Sequence, residues 1–146
     1  QVTDPRNVGA IIRSANAFGC NAIIITKHKA PSENGSLARA AAGALENIPI
    51  ITVTNMHRTI ETLKSRGICC IGLDASGSEN IQRFNQEPRL ALILGSENTG
   101  MRRLTKKACD YIVKIPMKNH TESLNVSVAS AIALYATQIN TDQISK

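Results

Sequence analysis

The sequence predicts an α/β domain: a mostly parallel sheet with helices on both faces. Short runs that are apolar throughout, instead of alternating, mark strands buried on two sides. Segments of helical periodicity separate these runs, as a parallel sheet requires to carry the chain back. The length of 146 residues, with 42% hydrophobic and 19% charged, suits one domain with a real core.

Asp4-Pro5 opens the first helix with a capping side chain and a proline in the first turn. Val8, Ile11, Ile12, Ala15 and Phe18 follow helical spacing, and Gly19 suits the stop. NAIIIT (21–26) reads as a buried strand, and a polar loop with Pro31 and Gly35 leads to an Ala-rich helix around 36–45. IPIITV (48–53) is the next strand, after which Asn55 caps the helix MHRTIETLKSR and Gly67 ends it. ICCIGLD (68–74), RLALILG (89–95) and YIVKIP (111–116) supply three more strands, with the helix MRRLTKKAC between the last two.

A final helix begins near Leu124 and carries two apolar faces. Leu124, Val128, Ala131, Ile132, Tyr135 and Ile139 form one stripe; Val126, Ala129, Ala133 and Ala136 form a smaller one. A helix apolar on two sides lies between its own sheet and something else, either a neighbouring helix or a second copy of the chain.

Composition narrows the function. No apolar run reaches the length of a membrane span, and no secretory signal opens the chain. Gln1 stands where a methionine is expected, so the chain reads as a fragment that has lost upstream sequence. The four cysteines show no C-x-x-C spacing, and His28, His57 and His120 are scattered. That pattern argues against a metal site or disulfide framework and for a reducing cytoplasm. The net charge of +6 favours an anionic partner such as nucleic acid. With 3% aromatic residues and no Trp, phosphate contacts and shape would dominate over base stacking.

Ligands of α/β sheets gather at the carboxyl ends of strands. LILGSENTGM (92–101) is such a place, where Gly95 and Gly100 allow close backbone approach, although it matches neither the Walker loop nor G-x-G-x-x-G. By itself the loop reads more readily as a mere tight connection. Periodicity places Arg13 on the polar face of the first helix, a solvated position, and away from the side that carries Asn7. Arg102, Arg103, Lys106 and Lys107 form a basic patch that suits a phosphate backbone or a solvated surface. A polar stretch, with Glu122, Ser123, Asn125 and Ser127, crowds the start of the last, apolar helix.

Three stretches together say more. DPRNVGAIIRSANAFG, LILGSENTGM and IPMKNHTESLNVSVASAIALYA resemble, in order and spacing, the three signature motifs of the SpoU-type RNA ribose 2'-O-methyltransferases, members of the knotted superfamily that uses S-adenosylmethionine. The resemblance covers nearly the whole chain. NAIIIT, PIITVTNMHRTIETLKSRGI and MRRLTKKACD are similar to the branch that methylates a guanosine of 23S ribosomal RNA.

The resemblance implies an α/β sheet whose C-terminal segment makes a deep trefoil knot, a rare exception to ordinary topology. It implies cofactor contacts around Leu94, Gly95, Ile115, Met117 and Leu124, with the stretch 116–123 wrapped around a ligand. Arg13 would activate the ribose 2'-hydroxyl, while Asn7, Glu97, Ser123 and Asn125 orient it and the RNA. A guanidinium is a poor base, so Arg13 would work with a substrate phosphate or through strong local perturbation. RNA would meet Arg102, Arg103 and Lys106, and a homodimer would form through the last helix and the neighbourhood of the first motif. The family domain normally starts with a strand ahead of DPRN and follows an N-terminal RNA-binding domain; both are expected to be missing here. Two other functions stay open, a transfer RNA ribose methyltransferase and a non-catalytic RNA-binding scaffold.

Overall fold

The computed structural model describes residues 2–27, 43–119 and 123–138. Along them run α1 (Pro5–Ala17), β1 (Ile23–Thr26), β2 (Ile50–Val53), α2 (Met56–Ser65), β3 (Cys69–Leu73), β4 (Glu79–Asn80), β5 (Leu90–Leu94), α3 (Arg103–Ala108), β6 (Tyr111–Lys114) and α4 (Val126–Gln138). Every strand pairing between them is parallel. β1 and β2 form one pair, and the other sheet runs in the order β4-β6-β3-β5.

The helix starts follow the sequence. Asp4 Oδ1 accepts from Arg6 N at 2.8 Å, and Asn55 Oδ1 accepts from Arg58 N at 3.0 Å. Gly19 and Gly67, both at φ 75°, take the left-handed turn that ends α1 and α2.

Alternation along the strands divides the larger sheet's faces. Cys70, Ile93 and Ile112 pack on one side with Ile60, Leu63, Met101 and Ala108, beneath α2 and α3. Ile71, Leu92 and Val113 pack on the other with Ile81, Phe84 and Ala133, beneath α4. The predicted cover on both faces is therefore present. Leu92 of β5 also belongs to a third cluster with Val8, Ile12, Ile23 and Leu134, where α1 lies against α4.

Four expectations change. Stretch 75–88 contains the short strand β4 and a 3-10 turn at Ile81–Phe84 that the sequence reading passed over. β2, expected to be buried, leaves Ile50 and Ile51 37% and 46% exposed. The helix expected over 101–109 is only Arg103–Ala108, because Met101 turns inward and Arg102 occupies the cap. In α4 neither expected stripe is the buried face: Ser130, Ala133, Leu134 and Thr137 are buried, with Ala133 alone from the smaller stripe, while Val128, Ile132 and Tyr135 of the larger one remain exposed. Apart from the 3-10 turn Ala44–Glu46, the expected Ala-rich helix around 36–45 lies outside the described residues, as do Glu122 and Ile139. No described helix is long and apolar enough to cross a membrane.

Candidate functional site

Strand register brings the site together. Leu73 pairs with Leu94 of β5 and with Val113 of β6, so these strands end at one level. The residues just beyond them, Asp74, Gly95 and Ile115, open onto one cavity of about 860 Å³. Met117, Ser123, Leu124 and Asn125, from the segment between β6 and α4, close another side; Thr3, Asp4 and Asn7 come from the start of α1.

The loop after β5 is a tight turn. Ser96 N donates to Gly100 O at 2.9 Å, Gly100 N returns to Ser96 O at 3.1 Å, and the Ser96 and Thr99 hydroxyls lie 2.6 Å apart. A Cβ on Gly95 would stand 2.4 Å from the Gly100 carbonyl carbon. Only glycine permits this crossing of backbone over backbone at the cavity wall.

Side chains from the three motif stretches meet on the cavity. The Glu97 carboxylate accepts from Thr3 N at 3.2 Å, Asp4 N at 3.1 Å and Asn7 Nδ2 at 3.3 Å. Asn7 Oδ1 in turn accepts from Asn125 Nδ2 at 3.2 Å. Asn125 Oδ1 caps α4, accepting from Ser127 N at 2.9 Å and Ser127 Oγ at 2.6 Å. Burial pulls the Glu97 carboxyl upward, but backbone N–H groups of Glu97, Asp4 and Thr3 and the Asn7 amide outweigh it, leaving it below the ordinary carboxylate range. Glu97 is thus an anion at neutral pH, and its hydrogen bonds fix which end of the Asn7 amide faces Asn125.

All five residues expected to touch a cofactor, Leu94, Gly95, Ile115, Met117 and Leu124, line the cavity. So do Asn7, Glu97, Ser123 and Asn125. Arg13 does not: Asn7 is inside α1, and at helical spacing Arg13 falls on a different face, exposed to solvent. Arg102 and Arg103 are exposed on the outer surface, but Lys106 Nζ is held by Asp74 Oδ2 at 3.2 Å and Ser76 Oγ at 2.9 Å. Asp74 is among the lining residues that the sequence reading missed, as are Thr3, Leu73 and Val126. The position of Asp74, last in the stretch ICCIGLD at a strand's carboxyl end, was the available signal.

Apolar side chains of Leu73, Leu94, Ile115, Leu124 and Val126 offer surface for a flat ring. The charged lining residues among those described are Asp4, Asp74 and Glu97, all acidic. Such a cavity suits a ligand of nucleoside size with hydroxyl or cationic groups and disfavours a bare polyphosphate. Fold and site define a parallel α/β domain built to hold such a ligand at its strand ends.

Comparison with known proteins makes this specific. The chain belongs to the SpoU rRNA Methylase family, whose model matches residues 1–135. It is 44% identical over 134 residues to the 23S rRNA (guanosine-2'-O-)-methyltransferase RlmB of Bordetella pertussis, covering 92% of this chain and 55% of that protein. The enzyme of the same name from Ralstonia nicotianae is 45% identical over 134 residues, covering 92% and 54%. In structure the chain matches the SpoU methyltransferase AviRb from Streptomyces viridochromogenes, solved in complex with AdoMet, with a TM-score of 0.87 and 29% identity, covering 99% of this chain and 56% of that one. The chain thus spans about half the length of the relatives it matches.

Proposed function

We propose that the chain is the catalytic domain of an RNA ribose 2'-O-methyltransferase that uses S-adenosylmethionine and acts on a guanosine of 23S ribosomal RNA. One observation carries this reading: the hydrogen-bonded series Glu97–Asn7–Asn125 joins all three motif stretches on one cavity. A scaffold that kept only the fold would not need these polar side chains aligned there. The names of the relatives from Bordetella pertussis and Ralstonia nicotianae support ribosomal RNA over transfer RNA.

The lining fits the cofactor. Leu94, Ile115, Met117 and Leu124 would hold its apolar parts, and the Gly95 backbone would lie against it. When bound, the cofactor supplies a methyl group on a sulfonium, an electrophile that needs alignment more than activation. Asn7, Glu97, Ser123 and Asn125 would orient the ribose and its hydroxyl, with Glu97 as a fixed acceptor. Arg13 would assist proton removal together with a substrate phosphate. It lies outside the cavity of its own chain, so this role depends on how RNA and a second copy approach α1.

A homodimer through α4 and the end of α1 belongs to this reading. It is supported by the exposed stripe Val128, Ile132 and Tyr135, beside which Phe18 meets Tyr135 edge-on at 5.9 Å. Arg102 and Arg103 would meet RNA phosphates, and Lys106 would contribute less because Asp74 already holds it. We include in the proposal the trefoil knot formed by the segment after β6, and a cytoplasmic setting. The knot is supported by Ile115, Met117, Ser123, Leu124 and Asn125, which line the same cavity as the β5 loop.

Nucleoside mass spectrometry tests the activity. Unmodified ribosomal RNA and transfer RNA are incubated separately with the chain and S-adenosylmethionine, and 2'-O-methylguanosine is measured. Methylation of ribosomal RNA alone is expected. Modification of transfer RNA alone would move the substrate, and modification of neither, with cofactor bound, would favour the scaffold.

A further inference from the structure

Asp74 is an anionic wall of the cavity that lies outside the three motif stretches. Its Oδ1 accepts from Ser76 N at 2.9 Å and Ser76 Oγ at 2.6 Å. Its Oδ2 pairs with Lys106 Nζ at 3.2 Å, and that ammonium also donates to Ser76 Oγ at 2.9 Å. The carboxylate is therefore held from two sides, yet its side chain stays 20% exposed on the cavity. Oδ2 faces the glycine turn, 3.8 Å from where a Cβ on Gly100 would stand.

A carboxylate has about four acceptor sites, and Ser76 and Lys106 leave one unused on Oδ2. Lys106 offsets part of the charge, so this oxygen suits a neutral donor better than a second cation. It still has a lone pair for a neutral donor. An S-adenosyl ligand offers two kinds of neutral donor, the adenine amino group and the ribose hydroxyls, and the hydroxyls make the shorter bond to a carboxylate. Burial raises the Asp74 carboxyl, but Ser76 and Lys106 outweigh it, so the group is ionised at neutral pH.

We propose that Asp74 is a ligand-binding residue that accepts a hydrogen bond from a ribose hydroxyl of the S-adenosyl ligand, with Ser76 and Lys106 as its positioning residues. This rests on the cofactor reading above. It also gives Lys106 a role inside the domain in place of a direct one on RNA.

The test is calorimetric titration of the chain with S-adenosylhomocysteine and with its 2',3'-dideoxy analogue. The wild type should prefer the hydroxylated ligand by roughly tenfold or more, as a hydrogen bond to a charged acceptor implies. In Asp74→Ala the preference should nearly vanish. In Asp74→Asn, whose Oδ1 keeps the Ser76 bonds and so guards against misfolding, it should fall severalfold. A full wild-type preference in Asp74→Asn, or no preference in the wild type, overturns the assignment of Asp74 alone. A folded wild type that binds neither ligand overturns the cofactor reading itself.

Discussion

The side-chain amide of Asn7 donates to the Glu97 carboxylate at 3.3 Å, although ninety residues separate them in the chain. The other end of that amide accepts from Asn125, which lies 118 residues along the chain from Asn7. One asparagine thus ties the start of α1 to the β5 loop and to the cap of α4.

Asn7→Ala should disconnect the series while Glu97 still holds Thr3 and Asp4. Methyl transfer is expected to fall about 10- to 100-fold, the cost of a misaligned reacting group, with the melting temperature nearly unchanged. Asn125→Ala should cost about 1 kcal/mol of stability as well, because the cap on α4 is lost. Asn125→Asp, which keeps the cap acceptor but not the donor to Asn7, should recover stability without activity. Equal activity in Asn125→Asp and the wild type would remove the Asn7 contact from the account.

Gly95→Ala should be among the most damaging small changes. The added carbon would stand 2.4 Å from the Gly100 carbonyl carbon and 2.5 Å from Met101 N, both backbone atoms that cannot swing aside. A loss of about 1–3 kcal/mol in urea unfolding is expected, together with weaker S-adenosylhomocysteine binding. Unchanged stability and affinity would show that the turn opens freely.

Ser130 is fully buried in α4, and among the described residues its Oγ has no hydrogen-bond partner. Ser130→Ala removes a desolvated hydroxyl and adds a better helix former. It should raise stability by about 1 kcal/mol. A clear loss in thermal melting would mean that the hydroxyl is satisfied in solution.

Acid should weaken the domain through two carboxyls. Glu97 and Asp74 both titrate below their ordinary values of 4.5 and 3.8 when folded. The folded state then holds fewer protons than the unfolded one, so their stabilisation is complete above those values and is lost as pH falls through the lowered ones. Urea midpoints from neutral pH down to acid should drop less steeply in Glu97→Gln and Asp74→Asn than in the wild type. Parallel curves would exclude both groups as sources.

Exposed Arg102 and Arg103 lead to a separable effect on RNA. Arg102→Glu combined with Arg103→Glu should weaken RNA binding and flatten its salt dependence, since phosphate contacts release counterions. Affinity for S-adenosylhomocysteine should not move. Retained RNA affinity would locate the RNA elsewhere.

The helix caps Asp4 and Asn55 and the main strands were legible because each rests on neighbours in the chain. The five positions proposed to face the cofactor came from the motif resemblance, and all five line the cavity. Arg13 was legible as an exposed residue from its helical face, but its place outside the cavity depends on Asn7 belonging to α1 and not to the loop before it. The patch at Arg102, Arg103 and Lys106 looked uniform, yet Lys106 is drawn to a carboxylate thirty-two positions earlier. α4 looked apolar on two faces, and periodicity did not single out the face that enters the core.

By itself, then, the sequence determined the α/β class, the starts and stops of α1 and α2, and the residues able to form a site. These follow from local sterics, capping and hydrophobic period, which act over a few residues. Tertiary structure decided that Leu73, Leu94 and Val113 end at one level, that Asn7 bridges Glu97 and Asn125, and that Asp74 joins the cavity wall. Those relationships depend on strand register and on which face of each helix meets the sheet. Both are set by packing between segments far apart in the chain, where no local rule reaches.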